Sequence, residues 1–302
     1  MHSNWTGVGT AMVTPFTDSG ALDEPAIRRL GRRQIDAGIQ FLVPCGTTGE
    51  SPTLTTEERV RIVEILVDEA RGQVPILAGA GGYNTQEVIH EAAAMQRAGA
   101  SGLLSVTPYY NKPTQEGLYR HYRAIAESTS LPIIVYNVPG RTSTNVEPAT
   151  LARLATIPNI VGVKEASGNI SQMCEVCHVT PPDFVVLSGD DAITLPLMAI
   201  GGRGVISVMS NETPGEMVKM VEAALAGDFD RARRVHERLY PLMQVNFVEV
   251  NPGPVKAAMA AMGLLGEVYR LPMCSPRPDA KARIISVLTD LGLVNPARAA
   301  LA

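Results

Sequence analysis

Five lysines occur in the 302-residue chain, and one of them, Lys164, ends the apolar run Ile160-Val161-Gly162-Val163-Lys164. A lysine at the end of a buried strand is desolvated, which favours the neutral amine that attacks a carbonyl and forms a Schiff base. The same position also suits a lysine whose stem lies on apolar surface while its ammonium reaches water or pairs with a neighbour such as Glu165. Tyr136 ends a similar run, Ile133-Ile134-Val135-Tyr136-Asn137. At a matching height its hydroxyl would move the protons of carbinolamine formation and dehydration. The alternative for Tyr136 is a core tyrosine whose hydroxyl is satisfied by backbone.

Cys45-Gly46-Thr47-Thr48-Gly49-Glu50-Ser51 packs two glycines and two threonine hydroxyls into a turn after another apolar run. Exposed backbone N–H groups in such a turn hold a small carboxylate. The turn lacks the G-K-[ST] ending of a nucleotide loop, and a tight turn with threonines for local hydrogen bonds is the other reading. Arg141 follows Asn137-Val138-Pro139-Gly140. Its guanidinium would clamp a carboxylate bidentately, or is a surface charge. Asp190-Asp191 lacks a histidine at ligand spacing and reads as turn and N-cap residues rather than a metal site. Cys174-Glu175-Val176-Cys177-His178 matches the haem-attachment pattern, but it lies in an apolar, helix-like stretch and reads as packing cysteines. No metal and no cofactor is expected.

These residues must be held by regular elements. Eight short runs rich in β-branched residues begin at Gly7, Ile39, Val74, Gly102, Pro132, Ile160, Phe184 and Gly204. They alternate with amphipathic stretches such as Glu57 to Arg71 and Glu87 to Arg97, and their near-continuous hydrophobicity is that of strands covered on both faces. Thr55 with Glu58 has capping-box spacing, and Gly38 and Gly99 stand where helices should stop. Eight βα units in about 225 residues fit a closed (β/α)8 barrel, whose active site lies at the C-terminal ends of its strands. An open nucleotide-binding sheet would show a glycine-rich turn after its first strand. Gly79-Ala80-Gly81-Gly82 follows the third run, lacks the G-x-G-x-x-G spacing, and reads as a tight barrel-top loop. From Asp228 the pattern is helical only (Asp228 to Val245, Val255 to Leu264, Asp279 to Leu291, then a short tail). The expectation is a barrel over 1–227 and a helical domain over 228–302.

Composition narrows the partners. Lys plus Arg number 26 against 30 Asp plus Glu, so the net charge of −4 offers no basic field to a nucleic acid. No apolar run approaches the ~20 residues of a membrane helix, and the N-terminal residues do not form an export signal. Four cysteines are too few for a disulfide scaffold, so free thiols in the reducing cytoplasm are expected.

Taken together, GTTGES at Gly46 to Ser51, VTPYYNKP at Val106 to Pro113, YNVPGRT at Tyr136 to Thr142, VGVKEASGN at Val161 to Asn169, LSGDD at Leu187 to Asp191 and GVISV at Gly204 to Val208 resemble the dihydrodipicolinate synthase and N-acetylneuraminate lyase superfamily. The resemblance runs from Gly7 into the helical tail, where Phe247 to Pro252 and Pro254 to Lys256 resemble the start of that family's last domain. It implies a class I aldolase-type lyase in which Lys164 forms the Schiff base with pyruvate and Tyr136 is the central relay hydroxyl. It implies that Thr48 links Tyr136 to Tyr110, and that Tyr110 enters the neighbouring subunit's site. Thr47 and Thr48 would contact the pyruvate carboxylate, Arg141 would orient the aldehyde, and Gly189 and Ile206 would complete the substrate site. The Thr47-Thr48 pair, Tyr109-Tyr110 and Gly140 to Thr142 favour aspartate semialdehyde as that aldehyde, in lysine and diaminopimelate biosynthesis. The alternatives within the superfamily are sialic-acid or sugar-acid lyases and hydratase-aldolases; a catalytically silent barrel should have lost Lys164 or Tyr136.

The family implies a homo-oligomer, a tetramer built as a dimer of dimers. Its lysine-inhibited members bind lysine with residues matching Ser51, Glu87 and Tyr109, all present here. This chain replaces the histidines common at Thr56 and Arg59 and the asparagine common at Tyr83, so weak or absent lysine inhibition is expected.

Overall fold

The structure is a computed structural model and describes residues 5–294; the end of the tail expected after Leu291 lies outside the described residues. Eight strands alternate with helices: β1 (Gly7–Ala11), β2 (Phe41–Val43), β3 (Leu77–Gly79), β4 (Gly102–Val106), β5 (Ile133–Asn137), β6 (Ile160–Glu165), β7 (Val185–Ser188) and β8 (Gly204–Ser207). They pair in parallel in the order β2-β1-β8-β7-β6-β5-β4-β3. The two ends meet where Leu42 bridges Ile76, where Leu42 N donates to Pro75 O (3.1 Å), and where Gly79 N donates to Pro44 O (2.9 Å). The (β/α)8 barrel expected from the sequence is therefore closed. β2 and β3 are shorter than their apolar runs because Pro44 and Pro75 carry no N–H for the ladder.

Alternation along the strands separates two cores. Inward side chains Ala11, Phe41, Val43, Leu77, Leu104, Ile134, Leu187 and Ile206 fill the barrel. Trp5, before β1, plugs the end where the strands begin and meets Phe41 edge-on, ring centroids 5.4 Å apart. Outward side chains such as Val8, Leu42, Leu103, Ile133, Val135, Val163 and Val205 join the larger cluster under the helices. The opposite end of the barrel is left for polar groups.

Local signals agree with the helix ends. Thr55 and Glu58 form a reciprocal capping box at the start of Thr56–Ala70. Gly38 and Gly99 have φ of +86° and +91° just past their helices, the left-handed C-terminal geometry that glycine adopts without strain. Asp228 caps Phe229–Val245 by accepting from Arg231 N at 2.9 Å. That helix packs on Pro214–Leu225 and on Pro278–Asp290, and the latter packs on Gly253–Ala261. Asp191 departs from its expected N-cap role. The helix Thr194–Ala199 has no side-chain cap, and Asp191 instead accepts from Val208 N (3.1 Å) and Met209 N (2.9 Å) beyond β8. Burial raises its carboxyl to about 6, against the pull of those donors. Asp190 has the expected turn role, accepting from Ala192 N at 2.9 Å.

Two of the three glycines of the barrel-top loop, Gly79 and Gly81, are explained by close approach. A Cβ on Gly79 would lie 2.1 Å from the Cys45 carbonyl oxygen, and one on Gly81 would lie 2.5 Å from Val106 N. Backbone cannot yield as a flexible side chain can. Gly79→Ala should cost at least the ~1–3 kcal/mol typical of overpacking. A denaturant midpoint equal to that of the wild type would contradict this close packing.

Candidate active site

Lys164 and Tyr136 are register partners on the neighbouring strands β6 and β5. Because side chains alternate, Tyr136 shares the inner face with Ile134, while Val135 and Val163 face the helices. Both are buried, and Lys164 Nζ lies 4.2 Å from the centre of the Tyr136 ring. Glu165, the ion-pair partner open to Lys164 in the sequence, is committed elsewhere. Its carboxylate accepts from Asn137 Nδ2 (3.0 Å) and Ser167 N (2.8 Å).

The space beside the lysine is kept by Gly189, at the end of β7. A Cβ there would lie 3.1 Å from Lys164 Cε and 2.6 Å from Ala166 Cβ. Gly189 N donates to Glu165 O at 2.8 Å, which fixes its backbone. Ile206 on β8 contributes to the apolar floor.

The turn after β2 begins at Cys45 (φ +58°) and ends at Glu50 (φ +54°), two non-glycine residues in the left-handed region. It is held by Gly49 N and Ser51 N donating to Gly46 O, Glu50 N donating to Thr47 O, and Thr14 Oγ1 donating to Gly49 O at 2.7 Å. Among the described residues, the N–H groups of Thr47 and Thr48 have no acceptor, so this turn presents two donors for a small anion. Thr47 is half-buried and Thr48 buried. Burial pushes the Cys45 thiol up to about 12, which keeps it an inert packing group.

Thr48 Oγ1 accepts a hydrogen bond from Asn251 Nδ2 at 3.0 Å. Its own hydrogen stays free to be donated. Neither Tyr136 nor Tyr110 bonds to it among the described residues. Tyr110 is not brought to the site within one chain: it has φ +67° and is 90% exposed. Arg141, on the short helix Pro139–Thr142, is exposed and reaches the Asn251 carbonyl at 3.4 Å.

Asn251 therefore touches two of the expected site residues, and sequence reasoning gave it no role. A second residue missed is Lys256. It is fully buried and its Nζ lies 2.5 Å from Glu50 Oε1. The signal was present: a single lysine in the apolar stretch Gly253-Pro254-Val255-Lys256-Ala257-Ala258-Met259.

The residues matched to lysine binding lie away from Lys164. Glu87 and Tyr109 line a cavity of about 810 Å³ with Thr56, Arg59, Tyr83 and Glu91. Ser51 does not line this cavity; its carbonyl accepts from Arg59 Nη2 at 2.7 Å. Arg59 is ion-paired with Glu91, whose carboxyl is raised by burial against the opposing pull of that guanidinium.

The sequence profile of the dihydrodipicolinate synthetase family matches residues 4–291. The chain is 50% identical over 295 residues to a 4-hydroxy-tetrahydrodipicolinate synthase of Koribacter versatilis, covering 97% of this chain and 98% of that protein. Among solved structures, dihydrodipicolinate synthase from Aquifex aeolicus superposes with a TM-score of 0.95 at 42% identity, covering 97% of this chain and 100% of that one. The enzyme from Cyanidioschyzon merolae, solved with lysine bound, superposes with a TM-score of 0.94 at 38% identity over the same shares of the two chains.

Proposed function

The chain belongs to the dihydrodipicolinate synthetase family, and we propose that Lys164 is the amine through which it makes its product. The activity is that of a 4-hydroxy-tetrahydrodipicolinate synthase, a lyase of lysine and diaminopimelate biosynthesis, and the family uses pyruvate and aspartate semialdehyde. The other pyruvate aldolases of the superfamily are not favoured by these relatives.

The observation that carries the assignment is the inward pairing of Lys164 with Tyr136, with Gly189 leaving room at the amine. The Lys164 nitrogen attacks the keto carbon of pyruvate, and the carbinolamine loses water to give an iminium. The electron-withdrawing iminium lets a methyl proton leave, and the resulting enamine attacks the aldehyde carbon of the second substrate. The amine of the adduct then attacks the iminium carbon, closes the ring and releases Lys164. Tyr136 carries protons at the carbinolamine and iminium steps. The free N–H groups of Thr47 and Thr48 hold the pyruvate carboxylate, with Ile206 beneath it, and Arg141 orients the aldehyde substrate.

Tyr110 completes the relay through Thr48 from a second subunit, which accounts for its exposure in one chain. The working form is then a homo-oligomer, and we propose a dimer of dimers. The four cysteines are free, in keeping with catalysis in the reducing cytoplasm.

In an assay of pyruvate with aspartate semialdehyde, Lys164→Ala should abolish turnover. Tyr136→Phe and Tyr110→Phe should each lower kcat by about 10²–10⁴-fold, the usual worth of a positioned proton carrier. Turnover by Lys164→Ala above a tenth of the wild type would refute the assignment. Full wild-type activity in a species sedimenting as a monomer would refute the shared site.

We also propose that lysine regulates this enzyme weakly or not at all. Arg59 lines the cavity of Glu87 and Tyr109, its guanidinium standing where a cationic ligand would compete for Glu91. Thr56 and Tyr83 do not replace the family's histidine and asparagine. Each lost hydrogen bond to a charged amine is worth roughly 1.5–3 kcal/mol. Initial rates should be unaffected by sub-millimolar lysine, and strong inhibition in that range would overturn the reading.

A further inference from the structure

Building on the Schiff-base reading above, we propose that the buried pair Lys256–Glu50 is a positioning device. It sets the turn that carries Thr47 and Thr48, and through that turn the proton transfers at the pyruvate methyl group.

Lys256 is one of the two buried lysines of the described residues, and it lies outside the chemistry assigned to Lys164. Its ammonium is fully partnered: it lies 2.5 Å from Glu50 Oε1, 2.6 Å from Val268 O and 3.1 Å from Thr14 O. The rings of Phe16 and Tyr269 stand 4.5 and 5.0 Å away. Glu50 Oε2 faces Arg270 N at 3.4 Å. The pair thus joins the helical segment to the turn after β2 across 206 residues of sequence.

Three observations tie this contact to the chemistry. Glu50 has φ 54° and ψ 36°, a conformation that a non-glycine residue leaves unless its surroundings hold it. It is two residues from Thr48, and its own N–H closes the turn onto Thr47 O at 3.1 Å. The segment that supplies Lys256 also supplies Asn251, which grips the Thr48 hydroxyl at 3.0 Å. Residues 251–256 therefore hold the turn at two points, one on a reacting-site hydroxyl and one at its strained end. A buried ion pair is a poor source of stability, since apolar residues of similar volume often serve as well. Fixed geometry is what it supplies, because charges held in a dry site permit few alternative placements of the turn.

The test separates positioning from folding and from the Schiff-base assignment. Glu50→Gln, Lys256→Met and the double variant Glu50→Gln/Lys256→Met are compared with Leu239→Ala, a destabilising change in the distant helix Phe229–Val245. Borohydride trapping of pyruvate counts the competent Lys164 sites in each protein. Exchange of the pyruvate methyl protons in D2O, followed by NMR and expressed per trapped site, reads the proton transfer. We expect exchange per site to fall about tenfold or more in the pair variants, with a parallel fall in kcat, and to stay at the wild-type value in Leu239→Ala. Exchange per site within twofold of wild type in folded pair variants would overturn the proposal. So would failure of all three to fold, which would make the pair a structural staple and nothing more. A wild-type protein that traps no pyruvate would instead overturn the Lys164 reading.

Discussion

The pairing of β5 with β6 shifts by one residue after Ile133 and then runs in register from Ile134 beside Gly162 to Asn137 beside Glu165; that last stretch sets which way Lys164 faces, into the barrel or among the helices. Beyond that point a slip of one residue would turn over the strand that slips, sending Tyr136 outward and Val135 in if β5 moves, or Lys164 outward and Val163 in if β6 moves. The slip is opposed on both sides, because Ile133, Val135 and Val163 are buried in the outer cluster while Ile134 is buried in the inner one. Apolar burial of about 1.5–3 kcal/mol per large side chain, to which the Tyr136 ring adds as a member of the inner cluster, thereby specifies the position of the Lys164 amine, which supplies none of that energy. Closure of the sheet adds a second constraint: with no free edge, β5 and β6 cannot shift without shifting their neighbours.

The layout divides labour along the barrel axis. Trp5 and the inward aliphatic residues fill the end where the strands begin, and the residues proposed to carry the chemistry lie toward the other end. There the strand ends meet residues from distant segments. Gly189 leaves room beside the lysine, Gly79 lets the β3 end pass the Cys45 carbonyl, and the segment 251–256 reaches the turn after β2. The helical segment is therefore part of the site's support as well as a cover for the barrel.

The barrel was legible because strands covered on both faces read as continuous apolar runs, and all eight were located, with ends trimmed where Pro44 and Pro75 interrupt the ladder. Lys164 and Tyr136 stood out as polar residues closing such runs. What was not legible depends on contacts remote in sequence. Asn251 meets Thr48 across 203 residues, and no local pattern foretells that bond. Asp191 was misread as a helix cap because its donors, Val208 and Met209, belong to the next strand end. The left-handed backbone of Glu50 was likewise hidden, since a glutamate in that conformation is held there by its partners and not by its own preference. The role of Tyr110 rests on the family resemblance, because one chain leaves it in solvent.

The central claim is that the Lys164 amine forms an iminium with pyruvate, and reductive trapping reads this directly. Incubation with pyruvate and borohydride, followed by intact mass spectrometry and peptide mapping, should show one reduced pyruvate per chain, attached at Lys164, with activity beforehand insensitive to chelator. An active protein that gains no adduct, or gains it on another lysine, would contradict the account.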